Sequence, residues 1–299
     1  MQKFSIFKHY WLFLLFSLVI LIPGVYSLAR YKVKPSIDFT GGSLWEIGMI
    51  KADQTELLPE EVKADIEQFI PVTSVQKTNQ ETFVIRSAEI NSEKKQEIQA
   101  VLERKYPMFD EQRFESVGPV LGRELLVKTV IGILIVAIII MIFLMRQFSE
   151  LKYGLAAVLA MFHDTLILLS AFSLLGWWKG VEVDVLFVTA ILTTLSFSVH
   201  DTIVVFDRIR ELGHKHPNVK LSELASTAAL QTVNRSINNS LTIILMLTSL
   251  VLLGGETLRW FAVALLIGSI TGTYSSTFTA VPLMLLWEDI QTKLKKKTK

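Results

Sequence analysis

Six long apolar stretches restrict this chain to very few folds. Each has about 20 residues, the length that an α-helix needs to cross a hydrocarbon core about 30 Å thick. Of the 299 residues, 51% are hydrophobic and only 19% are charged, a balance typical of an integral membrane protein. We therefore predict six transmembrane helices, within residues 10–28, 126–145, 153–175, 185–206, 237–253 and 260–287.

The short loops indicate the orientation of these helices. Basic residues gather around Arg146 and Lys152 and between residues 208 and 235, whereas the two opposite loops contribute only Lys179 and Arg259. Because loops rich in Lys and Arg stay in the cytoplasm, both termini are expected there. This orientation exports the long polar segment 31–125.

Both ends of the chain carry positive charge beside an apolar stretch. Lys3 and Lys8 precede the first one, which is longer than the apolar region of a secretory signal, so we expect an uncleaved anchor. The last stretch is followed by a basic tail, which favours the anionic lipids of the cytoplasmic face. The tail contains Lys293, Lys295, Lys296, Lys297 and Lys299.

The exported segment reads as alternating strands and helices. Its successive patterns are IDFTGGSLWEIGM as a strand, LLPEEVKADIEQFI as a helix, SVQKT and TFVIRS as strands, SEKKQEIQAVLERKY as a helix capped by Asn91, and QRFESVGPV as a strand. The order βαββαβ is that of a ferredoxin-like split unit. Gly41 and Gly42 mark either a bulge or close approach within the first strand, or a simple turn.

Charge and domain boundaries follow from this layout. The segment 31–125 has 12 Lys and Arg against 17 Asp and Glu, a net charge of −5, so no nucleic-acid partner is expected. The predicted fold class is an α-helical membrane protein of six transmembrane helices with a small external α+β domain between the first two. The divisions are an N-terminal segment with the first helix (1–30), an external domain (31–125), a five-helix region (126–290) and a basic tail (291–299).

Two charged side chains within or beside apolar stretches are the main candidates for function. Asp201 lies near the inner end of the fourth stretch, and Arg235 opens the fifth. A charge in hydrocarbon costs about 3 kcal/mol on insertion scales, so such residues are usually functional. The alternatives are that Asp201 is a wetted helix end and that Arg235 is an ordinary topology anchor.

Polar neighbours accompany both residues. Thr194 and Ser198 share a helical face with Asp201, and His200 lies one step aside; their hydroxyls are placed to solvate a carboxylate. Asn238 and Asn239 follow Arg235 at the start of its span, where amides are poor lipid-facing side chains. This surface is therefore expected to face protein or a water-filled cavity.

The third and fourth apolar stretches share a short sequence repeat. His163 and Asp164 precede a threonine, as His200 and Asp201 do. Two His-Asp pairs suit a proton relay because imidazole titrates near neutrality, although a three-residue repeat also arises by chance.

The last stretch carries small residues at steps of four. Gly268, Gly272 and Ser276 form a stripe that lets another helix approach closely, and the polar run from 271 to 277 either packs centrally or lines a hydrated path.

Several functional classes are disfavoured by missing motifs. The chain has no cysteine, no H-E-x-x-H metal helix and no G-x-x-x-x-G-K-[ST] phosphate loop, and its aspartates lack the glycine context of membrane aspartyl proteases. We therefore expect neither an enzyme nor a bound metal or cofactor.

Motifs along nearly the whole chain resemble those of the SecF family of protein-export membrane proteins. They are IDFTGG, SVGPVLGREL, FHDTLIL, SVHDTIVVFDRIRE, TVNRSINNSLT and LGGETLRWFAVALLIGSITGTYSSTF, in this order. The resemblance implies one half of a transporter of the resistance-nodulation-division type in the bacterial inner membrane. SecD would be the other half, and the Sec channel and an unfolded polypeptide in transit would be further partners.

The resemblance also implies a mechanism and site residues. The proton-motive force, or a sodium gradient in some members, would promote late steps of polypeptide translocation. Asp201 would be the aspartate of the ion pathway and Arg235 its arginine, while His163 and Asp164 match a less regular His-Asp pair, and His200 departs from a frequent asparagine. The competing interpretations are half of a small-molecule or ion exporter, and a purely structural scaffold.

Overall fold

Two separate units make up the chain: residues 1–34 with 132–299, and residues 35–131. The computed structural model describes residues 6–50, 57–78, 82–148 and 150–297, so Lys3 and Lys299 lie outside the described residues. After a short 3-10 turn at Ile6–His9, the helices are α1 (Trp11–Tyr31), α2 (Ile37–Thr40), α3 (Pro59–Glu67), α4 (Ser92–Lys105), α5 (Pro119–Gln147), α6 (Leu151–Lys179), α7 (Val185–Lys215), α8 (Leu221–Leu253), α9 (Glu256–Phe278) and α10 (Ala280–Lys297). The strands are β1 (Gly42–Ile50), β2 (Val72–Lys77), β3 (Thr82–Ser87) and β4 (Met108–Val117).

Unit 35–131 contains one antiparallel sheet with the strand order β2-β3-β1-β4. Every second residue of β1 points into the core, and Trp45 and Ile47 are fully buried. Ile98 and Leu102, four residues apart on α4, cover this face of the sheet. The predicted order of strands and helices is therefore present in the chain.

Two details of this unit differ from the sequence prediction. IDFT forms the short helix α2 rather than the start of a strand, because the Ser36 side chain accepts a hydrogen bond from the Asp38 backbone N–H at 3.2 Å and caps a helical turn. The closing strand ends at Val117, and Pro119 starts α5, a position that suits proline because the first helical N–H needs no partner.

The predicted cap of α4 is confirmed, whereas the close approach at Gly41 lies just outside the first strand. The Asn91 side chain accepts a hydrogen bond from the Lys94 backbone N–H at 2.8 Å and caps α4. Gly41 has φ of 75°, and a Cβ there would lie 2.5 Å from the Pro119 Cα. The glycine therefore marks a close approach, although it precedes β1 rather than interrupting it.

Within the described residues, six helical segments are long and apolar enough to cross a membrane. They are α1, α5, α6, α7, α8 and the segment Leu258–Lys295 that contains most of α9 and α10. This segment is broken at Thr279, since Pro282 has no N–H to continue the helical hydrogen bonding. The predicted number of spans agrees with the structure.

Arg235 is placed differently from the prediction. It lies in the interior of α8, which begins at Leu221, and so it does not open a helix. The first turns of α8 contain so many polar residues that a search for apolar stretches does not detect them. They are nevertheless rich in Ala and Leu, which favour a helix, and they pack through Leu224, Ala225 and Ala228.

The helical unit packs around α6, α7 and α9, with Phe172 of α6 and Phe187 of α7 in ring contact at 4.2 Å. At one end of the unit Lys152 forms an ion pair with Glu288 at 3.0 Å, and the Tyr10 hydroxyl donates to Asp289 at 2.5 Å. These contacts tie the starts of α1 and α6 to α10. The apolar window of α5 is not buried in the chain, as expected for a helix that lipid or another chain surrounds.

Candidate functional site

A buried carboxylate lies near the middle of α6. Asp164 is 6% exposed. Its Oδ2 accepts hydrogen bonds from the hydroxyls of Ser198 on α7 and Ser275 on α9, each at 2.5 Å. Its Oδ1 lies 3.0 Å from Nδ1 of His163. One side chain thus joins three helices that cross the membrane.

The described residues place no fixed cation beside this carboxylate. Among the described residues, no Lys or Arg nitrogen lies within 4.0 Å of Asp164, and its one possible counter-charge is a protonated His163. The Nε2 of His163 is itself buried and has no hydrogen-bond partner in the described part of the chain. The two serine hydroxyls and His163 are therefore the groups that offset the desolvation of this buried carboxylate.

Close packing of α9 on α7 assembles the cluster. A Cβ at Gly272 would lie 3.3 Å from the Ser198 Cα, and a Cβ at Gly268 would lie 2.1 Å from Cγ2 of Thr194. Because the two backbones approach at these glycines, Ser275 and Ser198 reach the same carboxylate. Ser276, the third residue of the stripe, is fully buried, and its hydroxyl donates to the Thr273 carbonyl at 3.0 Å.

Asp201 and Arg235 are not in contact. Asp201 is partly buried on α7, Arg235 is exposed on α8, and among the described residues no hydrogen bond or ion pair within 4.0 Å joins them. The hydroxyl of Ser198, which was expected to solvate Asp201, donates to Asp164 instead. The roles of Asp201 and Arg235 in ion coupling therefore remain predictions.

The remaining candidates divide into two groups. His163, Asp164 and Ser198 come together, whereas His200, Asn238 and Asn239 are exposed on the surface of the single chain. Thr194 is buried, but its hydroxyl donates to the Ile191 carbonyl of its own helix at 2.9 Å.

Ser275 was missed as a site residue by sequence reasoning. It was noted only as part of a polar run, although it follows Gly272 by three residues and so shares the packed face of α9. The described residues contain no group of three or more His, Asp or Glu side chains arranged to hold a metal ion.

Comparison with protein families gives a consistent match. The family described as protein export membrane protein SecD/SecF, C-terminal, matches residues 97–290. The protein translocase subunit SecF of Thermobaculum terrenum is 36% identical over 294 residues, which cover 93% of this chain and 92% of that protein. The SecF subunit of Anaerolinea thermophila is 38% identical, with 93% and 92% covered.

Longer proteins match over part of their length. The protein translocase subunit SecDF of Bacillus subtilis is 30% identical over 94% of this chain but only 38% of its own length. The crystal structure of SecDF from Thermus thermophilus, a translocon-associated membrane protein, matches with a TM-score of 0.80 at 27% identity. That match covers 91% of this chain and 37% of the SecDF chain, so this chain spans little more than a third of the SecDF proteins.

The family match extends from α4 to α10, and two SecF subunits align over more than nine-tenths of both partners at above 30% identity. With six helices able to cross a membrane, the chain is a multi-pass membrane protein. It belongs to the SecF family.

Proposed function

We propose that this chain is the SecF-type subunit of a bacterial protein translocase, and that it uses the proton-motive force or a sodium gradient to promote late steps of polypeptide translocation. The names of its relatives support the role in translocation. The coupling to a gradient rests on one observation: three ionisable side chains, His163, Asp164 and Asp201, lie inside two neighbouring helices that cross the membrane.

The energies involved are sufficient for such a role. One elementary charge that falls through 100 mV releases about 2.3 kcal/mol, and a pH difference adds to it. A protein with two conformations needs only a few kcal/mol to change state, which is the range that one or more protons per cycle supply. Asp201 would bind the ion, and its changing attraction to Arg235 would alter how α7 packs near α8.

An exposed polar strip on α8 supports a partner within the membrane. Asn234, Arg235, Asn238, Asn239 and Thr242 recur at helical spacing and are exposed in the single chain. Amide and guanidinium groups are poor neighbours for lipid, so this face requires protein or water. We propose that a SecD subunit covers it, which agrees with relatives that are named SecDF.

The small sheet unit would lie outside the cytoplasm. Its antiparallel strand order β2-β3-β1-β4, with α3 and α4 between the strands, supports a ferredoxin-like periplasmic domain that contacts the polypeptide in transit. Trp177 and Trp178 are exposed at the end of α6. This position suits the periplasmic surface of the inner membrane, because Trp is enriched where a membrane meets water. Both termini would then be cytoplasmic. The basic tail would lie on anionic lipids, and the chain would bind the Sec channel.

The experiment that tests this function is export into energised inverted vesicles that contain the Sec channel with or without this chain and SecD. We expect the added subunits to increase the yield of a translocated secretory protein, and an uncoupler or sodium ionophore to remove the increase. An increase that survives collapse of both gradients would exclude the proposed coupling.

A further inference from the structure

We propose that Asp164 is a proton-binding site in its own right, separate from Asp201, with His163 as its proton-exchange partner and with Ser198 and Ser275 as the groups that transmit its charge to α7 and α9. This inference rests on the proposed function, because it names a second residue through which an ion gradient acts on the helices.

The hydrogen bonds distinguish the two oxygens of the carboxylate. Oδ2 accepts two O–H groups at 2.5 Å, from Ser198 and Ser275, and so it has no room for a proton of its own. Oδ1 has only His163 Nδ1 beside it, at 3.0 Å. A proton that binds this carboxylate therefore goes to Oδ1, where it exchanges with Nδ1.

The ring of His163 has a second nitrogen through which the proton can leave. Its Nε2 is buried, with the residue 8% exposed, and lacks a hydrogen-bond partner among the described residues. A buried ring nitrogen is normally paired, so the unpaired Nε2 is the natural contact for a water molecule or a partner group that supplies protons. Nδ1 then exchanges a proton with the Asp164 carboxylate, and Nε2 exchanges a proton with the water molecule or partner group.

Ser275 can link the charge on Asp164 to the packing of α9 against α6. Its hydroxyl has a second acceptor on its own helix, the Gly272 carbonyl at 3.3 Å. When Asp164 is charged, the hydroxyl donates to Oδ2; when Asp164 is protonated, the hydroxyl is free to turn to Gly272. The hydrogen bond between α6 and α9 is thus strongest in the charged state, since charge-assisted bonds are the stronger kind.

The contacts around Asp164 favour a proton as the ligand rather than a sodium ion. Hard cations collect about six or more oxygen ligands, and nitrogen is not among those they prefer. Here one carboxylate oxygen is occupied by an imidazole nitrogen, which leaves Oδ2 and two hydroxyls on the described side chains. The geometry is that of a protonation site.

Other ionisable groups on the neighbouring helices make no direct contact with this carboxylate in the described residues. In the part of the chain that the structure describes, none of their side chains lies within hydrogen-bond or ion-pair distance of Asp164. They are His200 and Asp201 on α7, Tyr274 on α9, Tyr26 and Arg30 on α1, and Glu288 and Asp289 on α10, the last two bound by Lys152 and Tyr10.

The test uses dicyclohexylcarbodiimide, a hydrophobic reagent that modifies protonated carboxyl groups in hydrocarbon. Membranes that contain the full chain with SecD are labelled between about pH 5 and pH 9, and the modified peptides are measured by mass spectrometry. We expect label on Asp164 at the acidic end and a fall of about tenfold or more towards the alkaline end. Asp164→Asn should remove this label, and Asp201→Asn should keep it, because no hydrogen bond or ion pair joins the two side chains among the described residues. The exposed Asp207, on the same helix as Asp201, is the control that should stay unlabelled.

Three outcomes would overturn the proposal. They are an Asp164 that stays unlabelled at every pH, a label that does not change with pH, and a label that sodium ions suppress at constant pH, which would assign the site to sodium. The readout does not depend on export. Labelling that follows pH without gradient-driven export would refute the proposed function alone, and gradient-driven export with an inert Asp164 would refute this inference alone.

A purely structural role for Asp164 is tested by the serine variants. If the hydroxyls only hold the helices together, Ser198→Ala and Ser275→Ala should lower the thermal midpoint and leave the pH profile of labelling unchanged. If they respond to the charge on Asp164, both variants should alter that profile. An unchanged profile would remove Ser198 and Ser275 from the proposal.

Discussion

Gly268 of α9 lies directly against Thr194 of α7: a Cβ added at Gly268 would come within 2.1 Å of the threonine Cγ2 and 2.6 Å of its Cβ. Both distances are shorter than any real contact between carbon atoms, so the two helices approach as closely as they do because position 268 has no side chain. This contact supports the neighbouring approach of Gly272 to Ser198, and through it the site at Asp164.

Gly268→Ala should therefore destabilise the helical unit. Overpacking of a tight interface typically costs about 1–3 kcal/mol, which should lower the thermal midpoint of the purified protein in detergent. Thr194→Gly in the same chain removes all three threonine atoms that the new Cβ would meet and should restore much of the loss. The matched control is Gly132→Ala on α5, where a Cβ would meet nothing within 4 Å. Equal midpoints for Gly268→Ala and Gly132→Ala would contradict the importance of this contact.

The face of the chain that contacts SecD should be found by disulfide crosslinking. Because the natural sequence has no cysteine, each single-cysteine variant reports one position. We expect Asn238→Cys and Asn239→Cys, on the exposed polar strip of α8, to crosslink to cysteines in SecD.

Two control positions define this interface. Ile237→Cys is exposed at 49% on the apolar side of the same helix and should not crosslink. Gly272→Cys should also fail, because Gly272 lies against Ser198 of its own chain. Efficient crosslinking from Ile237 with none from Asn238 or Asn239 would place SecD on the opposite face.

The sheet unit should unfold cooperatively on its own and lose stability at high pH. Burial and a hydrogen bond to Asp65 at 2.5 Å raise the pKa of the Tyr106 hydroxyl above its ordinary value of 10.0. The folded state then holds this proton more tightly than the unfolded chain. The resulting stability is fully present below about pH 10 and is lost as the pH rises through the higher pKa of the folded state.

The measurement is thermal unfolding of the fragment 31–125 at about pH 8 and about pH 11. We expect one cooperative transition, with a midpoint that falls at the higher pH more in the natural sequence than in Tyr106→Phe. The phenylalanine variant should lose about 1 kcal/mol at the lower pH, because Asp65 keeps its ion pair with Lys105. The two proteins differ only at position 106, so the difference between their pH dependences reports on this hydroxyl. Identical pH dependence, or a fragment without a transition, would contradict the prediction.

Local patterns in the sequence account for most of the fold. Apolar length predicted the six spans, an apolar stretch predicted most of β1, and a single asparagine predicted the start of α4, because each of these depends on neighbouring residues. The start of α8 was missed for a physical reason. Its first turns are amphipathic and pack on protein, whereas an apolar window detects only helices that lipid surrounds.

The site was harder to predict because its partners are far apart in the chain. Ser198 and Ser275 are separated from Asp164 by 34 and 111 positions, and no local spacing connects them. The His-Asp pair at 163 and 164 was visible in the sequence. Its choice of hydroxyl partners depends on the close packing of α9 against α7, which is a property of the assembled helices.

The last prediction concerns Asp201 and its coupling to Arg235. If Asp201 must alternate between a charged and a neutral form, Asp201→Asn holds it neutral with little change of shape. Gradient-stimulated export should then fall by about tenfold or more, equivalent to about 1.4 kcal/mol, while membrane insertion and copurification with SecD persist.

Variants of Arg235 test the other member of the pair. Arg235→Leu should uncouple export as well, and Arg235→Lys should keep partial activity, because it retains the charge but lacks the planar fork of the guanidinium. The matched control is Asp207→Asn, which removes an exposed carboxylate from α7, the helix of Asp201; this variant should export at the natural rate.

The assay follows a secretory substrate in energised inverted vesicles with and without an uncoupler. In the described residues no hydrogen bond or ion pair joins Asp201 and Arg235, so their coupling in this structure is an electrostatic attraction through space. Uncoupler-sensitive export at the natural rate in Asp201→Asn would return this residue to the role of a wetted helix end.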